Sequence, residues 1–395
     1  MSSTRDTTVS LSDSLIAAAR EMAPLVAASA EEAEQARRLP QPLVDAMVEA
    51  GLFRMVMPAS LGGAEADPLT IMRVIEEVAQ ADGAAGWSLM IGSTSAIVVA
   101  YLPEQDARAL FGNPPRGIFG GVVAPTGKAT VVEGGYRVSG RWSYGSGIEH
   151  CEWHVGGCLL FEDRTMRLSP KGVPQMRLML FPGRESIIHD TWNVSGLRGT
   201  GSHDYSVQDI FVPEAHALSL IEGPLYQTGP LYRLPIFGLL AMSVASVATG
   251  IARGAINALM DLAGAKMPMG SRKVLAEQGM VQVQVAQAEA LLRSGRAFLI
   301  DAASELWEAV SAGNAVSVEQ RMLLRLAAAH ATSSAAQAVD LMYQAGGATA
   351  NFSSSPLQRA FRDVHAATQH AMVAPLWYET AGRHLLKLPV DTMRL

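Results

Sequence analysis

The sequence predicts an α+β protein built in three consecutive parts: helical, then β, then helical again. Apolar residues recur at helical spacing up to about residue 112. They alternate at period two within 113–222 and return to helical spacing within 223–395. The last part is filled by long alanine-rich runs, 275–306 and 317–343 among them. Small residues on long helices permit the close contacts of an antiparallel bundle. A chain of 395 residues also exceeds what one ordinary core organises. Three domains are therefore expected, at 1–112, 113–222 and 223–395.

In the first part, Ser12 and Asp13 can cap a run with Leu15, Ile16, Ala19 and Met22 on one face. Pro42 marks a second start, ahead of Leu43, Val44, Met47 and Val48. Gly62 and Gly63 mark an exit loop. Asp67-Pro68 opens a third helix with Ile71, Val74, Ile75 and Val78 on its buried face. A fourth apolar stretch, 86–101, ends at Pro103 and contains Ser93, Thr94 and Ser95. Those three fit either close helix packing or the wall of a pocket.

The β part opens with a hairpin, 130–138, turning at Gly134-Gly135. Further strands are expected at 153–161, 175–181 and 206–212. Helices return at 239–260, 275–306 and 317–343. Gln344-Ala345-Gly346-Gly347 stops the last of these, and Pro356 can begin another, expected to run through 357–370. That final run carries Arg362, Asp363, His365, Gln369 and His370 beside small alanines. A buried helix with so many polar groups needs partners for them.

Apolar residues make up 49 % of the chain and charged ones 17 %, which fits extensive buried surface. A net charge of −6 argues against nucleic acid or an anionic membrane as the main partner. Cys151 and Cys158 are too few and too close for a disulfide framework, so a reducing, cytoplasmic setting is expected. The apolar run 236–248 is too short to span a bilayer, and the N-terminus does not read as a signal peptide.

No dinucleotide fingerprint or Walker loop is present, because Gly196-Leu197-Arg198-Gly199-Thr200-Gly201 sits among strands. No metal site is expected, since in a strand His150 and His154 share a face while Cys151 points away. Four segments remain: 120–127, 140–147, 192–204 and 344–386. They combine glycines, which let backbone approach a flat ligand, with aromatic walls and hydroxyls.

Those segments carry a resemblance that covers about 12–386. Met57-Pro58 with Gly62-Gly63, Leu197-Arg198-Gly199-Thr200-Gly201-Ser202 with Asp204, Phe211-Val212-Pro213-Glu214, and Gln344-Ala345-Gly346-Gly347 together resemble the acyl-CoA dehydrogenase superfamily. The resemblance implies an N-terminal helical domain, a central β-barrel or sandwich and a C-terminal four-helix bundle. It departs at one position. Dehydrogenases commonly carry a glutamate base about nine residues after the Arg of the Arg-Asp pair. Counting from Arg362 gives Ala371, beside His370, and no glutamate lies between Arg362 and Tyr378. Without that carboxylate, removal of a weakly acidic α-proton loses its base.

Trp142-Ser143-Tyr144-Gly145-Ser146-Gly147-Ile148-Glu149-His150-Cys151-Glu152-Trp153 is similar instead to the two-component flavin-dependent monooxygenases of that superfamily. These take reduced flavin, usually FMNH2, from a separate reductase, form a C4a-(hydro)peroxide with O2 and oxygenate an aromatic or polycyclic apolar molecule. By that resemblance Ser146 bonds the flavin near N5 and His370 sits by C4a. Histidine's ordinary pKa of about 6.5 lets it exchange a proton near neutrality. Asp363 is expected to pair with Arg362 or a neighbouring chain. Ala124, Trp142, Arg272, Gln344, Gly346 and Gly347 are further flavin contacts. Gln344, Gly346 and Gly347 would reach a flavin in a neighbouring subunit, and Lys266 is a second phosphate candidate after Arg272. Met90 and Ser95 line the substrate pocket. FMN is expected, with FAD as the alternative. The apolar bundle faces imply a homotetramer. A dehydrogenase or flavin oxidase with a displaced base is the competing enzyme reading.

Overall fold

The computed structural model describes residues 10–111, 117–220, 223–392 and 395. The boundaries expected at 112–113 and 222 lie outside the described residues. Helices α1 (Leu11–Ala36), α2 (Gln41–Glu49), α3 (Pro68–Ala81), α4 (Gly83–Ser95) and α5 (Glu104–Phe111) form the first part. Ser10 caps α1, not Ser12: its Oγ accepts from Asp13 N at 3.1 Å, because the helix begins a residue before Ser12. Asp67 caps α3 as expected, accepting from Leu69 N and Thr70 N at 3.0 Å each. Helix α4 is buried on nearly every side, packed against α3, α6 (Ile236–Ala265) and the first strand.

The β part is one mixed sheet of strands β1 (Phe119–Val132), β2 (Gly135–Gly145), β3 (Trp153–Glu162), β4 (Thr165–Met166), β5 (Met176–Pro182), β6 (Ile187–His189), β7 (His203–Pro213) and β8 (Ala217–Leu218). Their order is β6-β7-β2-β1-β3-β5-β8, with β4 paired to β3. The β1–β3 pair is parallel and the rest antiparallel. The expected hairpin joins β1 to β2, with Gly134 at φ +76° in its turn. The sheet encloses an apolar cluster of its own around Trp142, Phe181 and Tyr205.

The last part contains α6, α7 (Gly279–Ser311), α8 (Val318–Gly346), α9 (Pro356–Thr368) and α10 (Leu376–Leu385). Helix α6 is longer than the sequence predicts. It and the segment Gly83–Tyr101 are long and apolar enough to cross a membrane, yet 78 % and 89 % of these windows are buried inside the protein. They are core helices. Helix α9 stops at Thr368, so His370 is not on the helix as expected. Gln369 N and His370 N close the end by bonding back to Ala366 O and Ala367 O, each at 3.2 Å. Pro375 prevents a continuous helix, since its ring would clash with the Ala371 carbonyl. That carbonyl instead accepts from Trp377 Nε1 at 2.8 Å. His370 thus lies in a turn, free of the helical seven-residue relation to Asp363.

Candidate active site

The three parts meet at the loop 196–202. A Cβ on Gly196 would stand 2.0 Å from Arg362 O, so only glycine lets this loop lie on the backbone of α9. Leu197 adopts φ +52°, and its N–H donates to Asp363 Oδ1 at 2.6 Å. Gly199 fits between Ala33 of α1 and Ala84 of α4. Arg362 pairs with Glu34 at 2.6 Å, and Arg359 joins the same carboxylate at 2.9 Å. The expected Asp363–Arg362 pairing is therefore replaced: Asp363 serves the loop, and Arg362 serves α1. Burial, then the neighbouring Asp82 carboxylate, raises the Asp363 pKa. Burial raises that of Asp82 as well.

This loop supports a row of hydroxyls. Thr200 Oγ1 donates to Leu197 O at 2.8 Å and lies 2.7 Å from Ser202 Oγ, which lies 2.7 Å from Ser146 Oγ. Ser146 lies two residues after Tyr144, a non-glycine residue at φ +69°, and directly before Gly147 at φ +64°. Strained backbone of this kind persists where surrounding structure holds it. Trp87, on α4, donates its Nε1–H to Ser146 Oγ at 3.0 Å. The Trp87 ring meets His370 edge-on, with centroids 5.4 Å apart and planes at 73°. Ser146 and His370, from the sheet and from the turn beyond α9, are thus brought to one place by a tryptophan that sequence reasoning missed. Trp87 lies at the start of the apolar stretch 86–101, where an indole reads as packing.

His370 Nδ1 accepts from Met372 N at 3.3 Å, so a neutral ring carries its proton on Nε2. Burial, then the charge of Arg325, lowers its pKa to about 4. The expectation of proton exchange near neutrality is corrected: at pH 7 this imidazole is an uncharged hydrogen-bond donor. Arg325, on α8, is 1 % exposed and holds the turn that carries His370. Its Nη1 donates to Phe237 O at 3.0 Å and reaches Met372 Sδ at 3.3 Å. Its guanidinium lies 3.5 Å from the centre of the Trp377 ring.

Other expected residues lie apart. Trp142, expected as a flat wall for the cofactor, is fully buried in the sheet's core. It stacks on Tyr205 at 5.2 Å and donates to Gly157 O at 2.8 Å, so no face is left for a ligand. Ala124 is exposed in a register shift of β1 between Val122 and Gly127. Met90 is wholly buried, and its carbonyl accepts from Ser93 Oγ and Thr94 Oγ1. Those hydroxyls therefore serve helix packing. Ser95 is half-buried at the end of α4, about 12 Å along the helix from Trp87. Two further arginines that could by charge meet a phosphate, Arg293 and Arg296, are engaged with Glu289 and Glu76. His365 bonds Asp340 at 2.8 Å. Arg272 is exposed in the α6–α7 connection. Lys266, at the end of α6, donates to Gly346 O at 2.9 Å. Gln344 and Gly347 are exposed at the far end of α8, beside a cavity of about 250 Å³ lined in part by Thr349, Phe352 and Leu357.

This arrangement fits a flat, polar-edged ring system. Ser88 Oγ is buried with no partner among the described residues, next to the position a Cβ on Gly147 would take. His370 offers Nε2–H, and Ser146 offers a hydroxyl oxygen, around the Trp87 indole.

The chain's two helical regions define the class. Residues 12–110 match the acyl-CoA dehydrogenase N-terminal domain, and 242–375 match its C-terminal domain. An indole-3-acetate monooxygenase of Pseudomonas putida is 33 % identical over 89 % of this chain and 88 % of its own length. The HsaA oxygenase subunit of a flavin-dependent monooxygenase from Rhodococcus jostii is 30 % identical over 94 % and 98 %. XiaF from Streptomyces, a structure in complex with FADH2 and glycerol, superposes with a TM-score of 0.87 at 26 % identity, covering 97 % of each chain. The chain belongs to the flavin-dependent monooxygenase branch of the acyl-CoA dehydrogenase superfamily. It is an oxidoreductase that works with reduced flavin and O2.

Proposed function

We propose that this chain is the oxygenase component of a two-component system, oxygenating an aromatic or polycyclic apolar molecule with flavin reduced elsewhere. One observation carries the site assignment: Trp87 bridges Ser146 and His370 through a 3.0 Å hydrogen bond and an edge-on ring contact. The reduced flavin, when bound, supplies the electrons that activate O2. The protein's own part is positioning and exclusion of water. Ser146 would hold the ring system on the N5 side by a hydrogen bond, and neutral His370 would offer its Nε2–H on the C4a side, while the buried walls of α4 would keep bulk water from the reacting atoms. A fixed donor in a dry site stabilises developing charge without reorganising.

The phosphate end of a neighbouring subunit's flavin falls to Arg272, with Lys266 second, since Lys266 bonds Gly346 O at the far end of α8. FMN is the flavin expected from the two-component resemblance, and FAD is the alternative, supported by FADH2 in the similar XiaF structure. A homotetramer is supported by exposed apolar side chains on the bundle, among them Met280 of α7, Phe352, and Leu376 and Leu385 of α10. Geometry adds a second support. Arg325, which holds the His370 turn, and Gly346 are 21 residues apart on α8, roughly 30 Å. Gln344, Gly346 and Gly347 are thus too far from their own subunit's His370 to share its flavin ring, and fit a neighbour's. A single-chain mass in light scattering contradicts the tetramer.

The test of the site is His370→Ala assayed with reduced flavin, O2 and a panel of phenols and indoles. Oxygenated product should fall by roughly 10²-fold while H2O2 release rises and the melting temperature holds. Unchanged coupling of O2 use to product removes His370 from the reaction.

A further inference from the structure

The hydroxyl row behind Ser146 is ordered from its far end, at the Leu197 carbonyl. Thr200 Oγ1 lies 2.8 Å from Leu197 O, and a carbonyl only accepts, so the single Thr200 proton points there. Trp192 Nε1 and Thr200 N also donate to that carbonyl, at 3.0 and 3.2 Å; the hydroxyl contact is the shortest of the three, and without a proton in it two oxygen lone pairs would face each other. Thr200 must then accept across its 2.7 Å contact with Ser202, so the Ser202 proton points to Thr200. Ser202 in turn must accept across its 2.7 Å contact with Ser146, so the Ser146 proton points to Ser202. Trp87 Nε1–H occupies one lone pair of Ser146 Oγ. What Ser146 keeps for a ligand is one lone pair and no proton.

We infer that Thr200 and Ser202 are positioning residues that make Ser146 an obligate hydrogen-bond acceptor, so that the site selects reduced over oxidised flavin. The inference rests on the reading above that Ser146 meets flavin N5. A reduced flavin carries a hydrogen on N5 and donates there. An oxidised flavin has only a lone pair at N5, and would face the lone pair of Ser146. Burial sharpens the contrast, because Ser146, Thr200 and Ser202 are 7 %, 2 % and 4 % exposed and water has little room to mediate. Chains of hydrogen bonds running in one direction also reinforce one another. An oxygenase of this kind gains from such selection, since spent oxidised flavin leaves while fresh reduced flavin binds.

Two substitutions break the row at different points. Ser202→Ala removes the acceptor for the Ser146 proton, which can then turn to the ligand. Thr200→Val keeps the shape of the side chain but removes the acceptor for the Ser202 proton. That proton can turn to Ser146 and free the Ser146 proton in the same way. The measurement is the dissociation constant of oxidised and of dithionite-reduced FMN and FAD, by anaerobic ultrafiltration, for the native protein and both variants. The native protein should bind the reduced form more tightly. Each variant should lower the ratio of oxidised to reduced Kd by about tenfold, mainly by tightening the oxidised form. A merely structural role would weaken both forms together and leave the ratio unchanged, which overturns the inference. A native ratio of one also overturns it and leaves the flavoenzyme reading standing. Failure of the native protein to bind either flavin in either state overturns both.

Discussion

Trp87 touches two groups of the site at once: its indole N–H reaches Ser146, and its ring packs edge-to-face with His370. At this scale the protein spends much of its polarity on groups kept out of water. Asp363 is 3 % exposed and lies near the carboxylate of Asp82, so burial raises its pKa and it carries its proton at pH values where an ordinary aspartate is ionised. The sign follows from the folded value lying above the unfolded one of about 3.9. Stability from this group is fully present below the unfolded pKa and is lost as pH rises through the folded one. Asp363→Asn keeps an oxygen for Leu197 N and cannot ionise. The variant should match the native protein below about pH 4 and exceed it increasingly as pH rises, by about 2 kcal/mol or more at pH 8. Thermal melts from pH 5 to 8 check this; parallel pH profiles for the two proteins contradict it.

At the scale of elements, the loop 196–202 explains why its glycines and hydroxyls were legible and their purpose was not. The motif stands out in the sequence because it breaks strand alternation, and the resemblance it carries gave the family. Its reason is contact: Gly196 lies on the backbone of α9, and Gly199 fits between α1 and α4, partners more than 100 residues away in sequence. Gly196→Ala should force the loop off α9, loosen Leu197 from Asp363 and cost about 2–3 kcal/mol, read as a lowered denaturant midpoint. An unchanged midpoint would mean that the loop is not docked as described. Helix α9 gives the converse case. Its start at Pro356 followed from the sequence, but its end did not, because alanines continued the helical pattern past Thr368. Pro375, seven residues further on, was the signal that His370 belongs to a turn. Trp142 misled for a related reason: a tryptophan in a glycine-rich segment suits a flat ligand and a packed sheet equally, and only the neighbours Tyr205 and Phe181 decide.

For the whole molecule, the order helical–β–helical was readable from periodicity alone. How the parts close on each other was not, since the junction is made by single side chains and close backbone approaches. The closure gathers Trp87 from the first part, Ser146 and Ser202 from the second and His370 from the third into one buried place. The missing glutamate near Ala371 was the sequence's sharpest statement about chemistry, and the proposed reading gives the uncharged His370 beside it the part of a hydrogen-bond donor in oxygen transfer, not of a base for a carbon-bound proton. The most direct measurement of that claim is a single turnover. Protein is loaded anaerobically with reduced FMN or FAD, mixed rapidly with O2, and the return of oxidised-flavin absorbance is followed. Bound flavin should return to its oxidised form after a lag and more slowly than free flavin, with little H2O2 when an oxygenatable aromatic is present. Return at the rate of free flavin, with one H2O2 for every flavin oxidised, would contradict it.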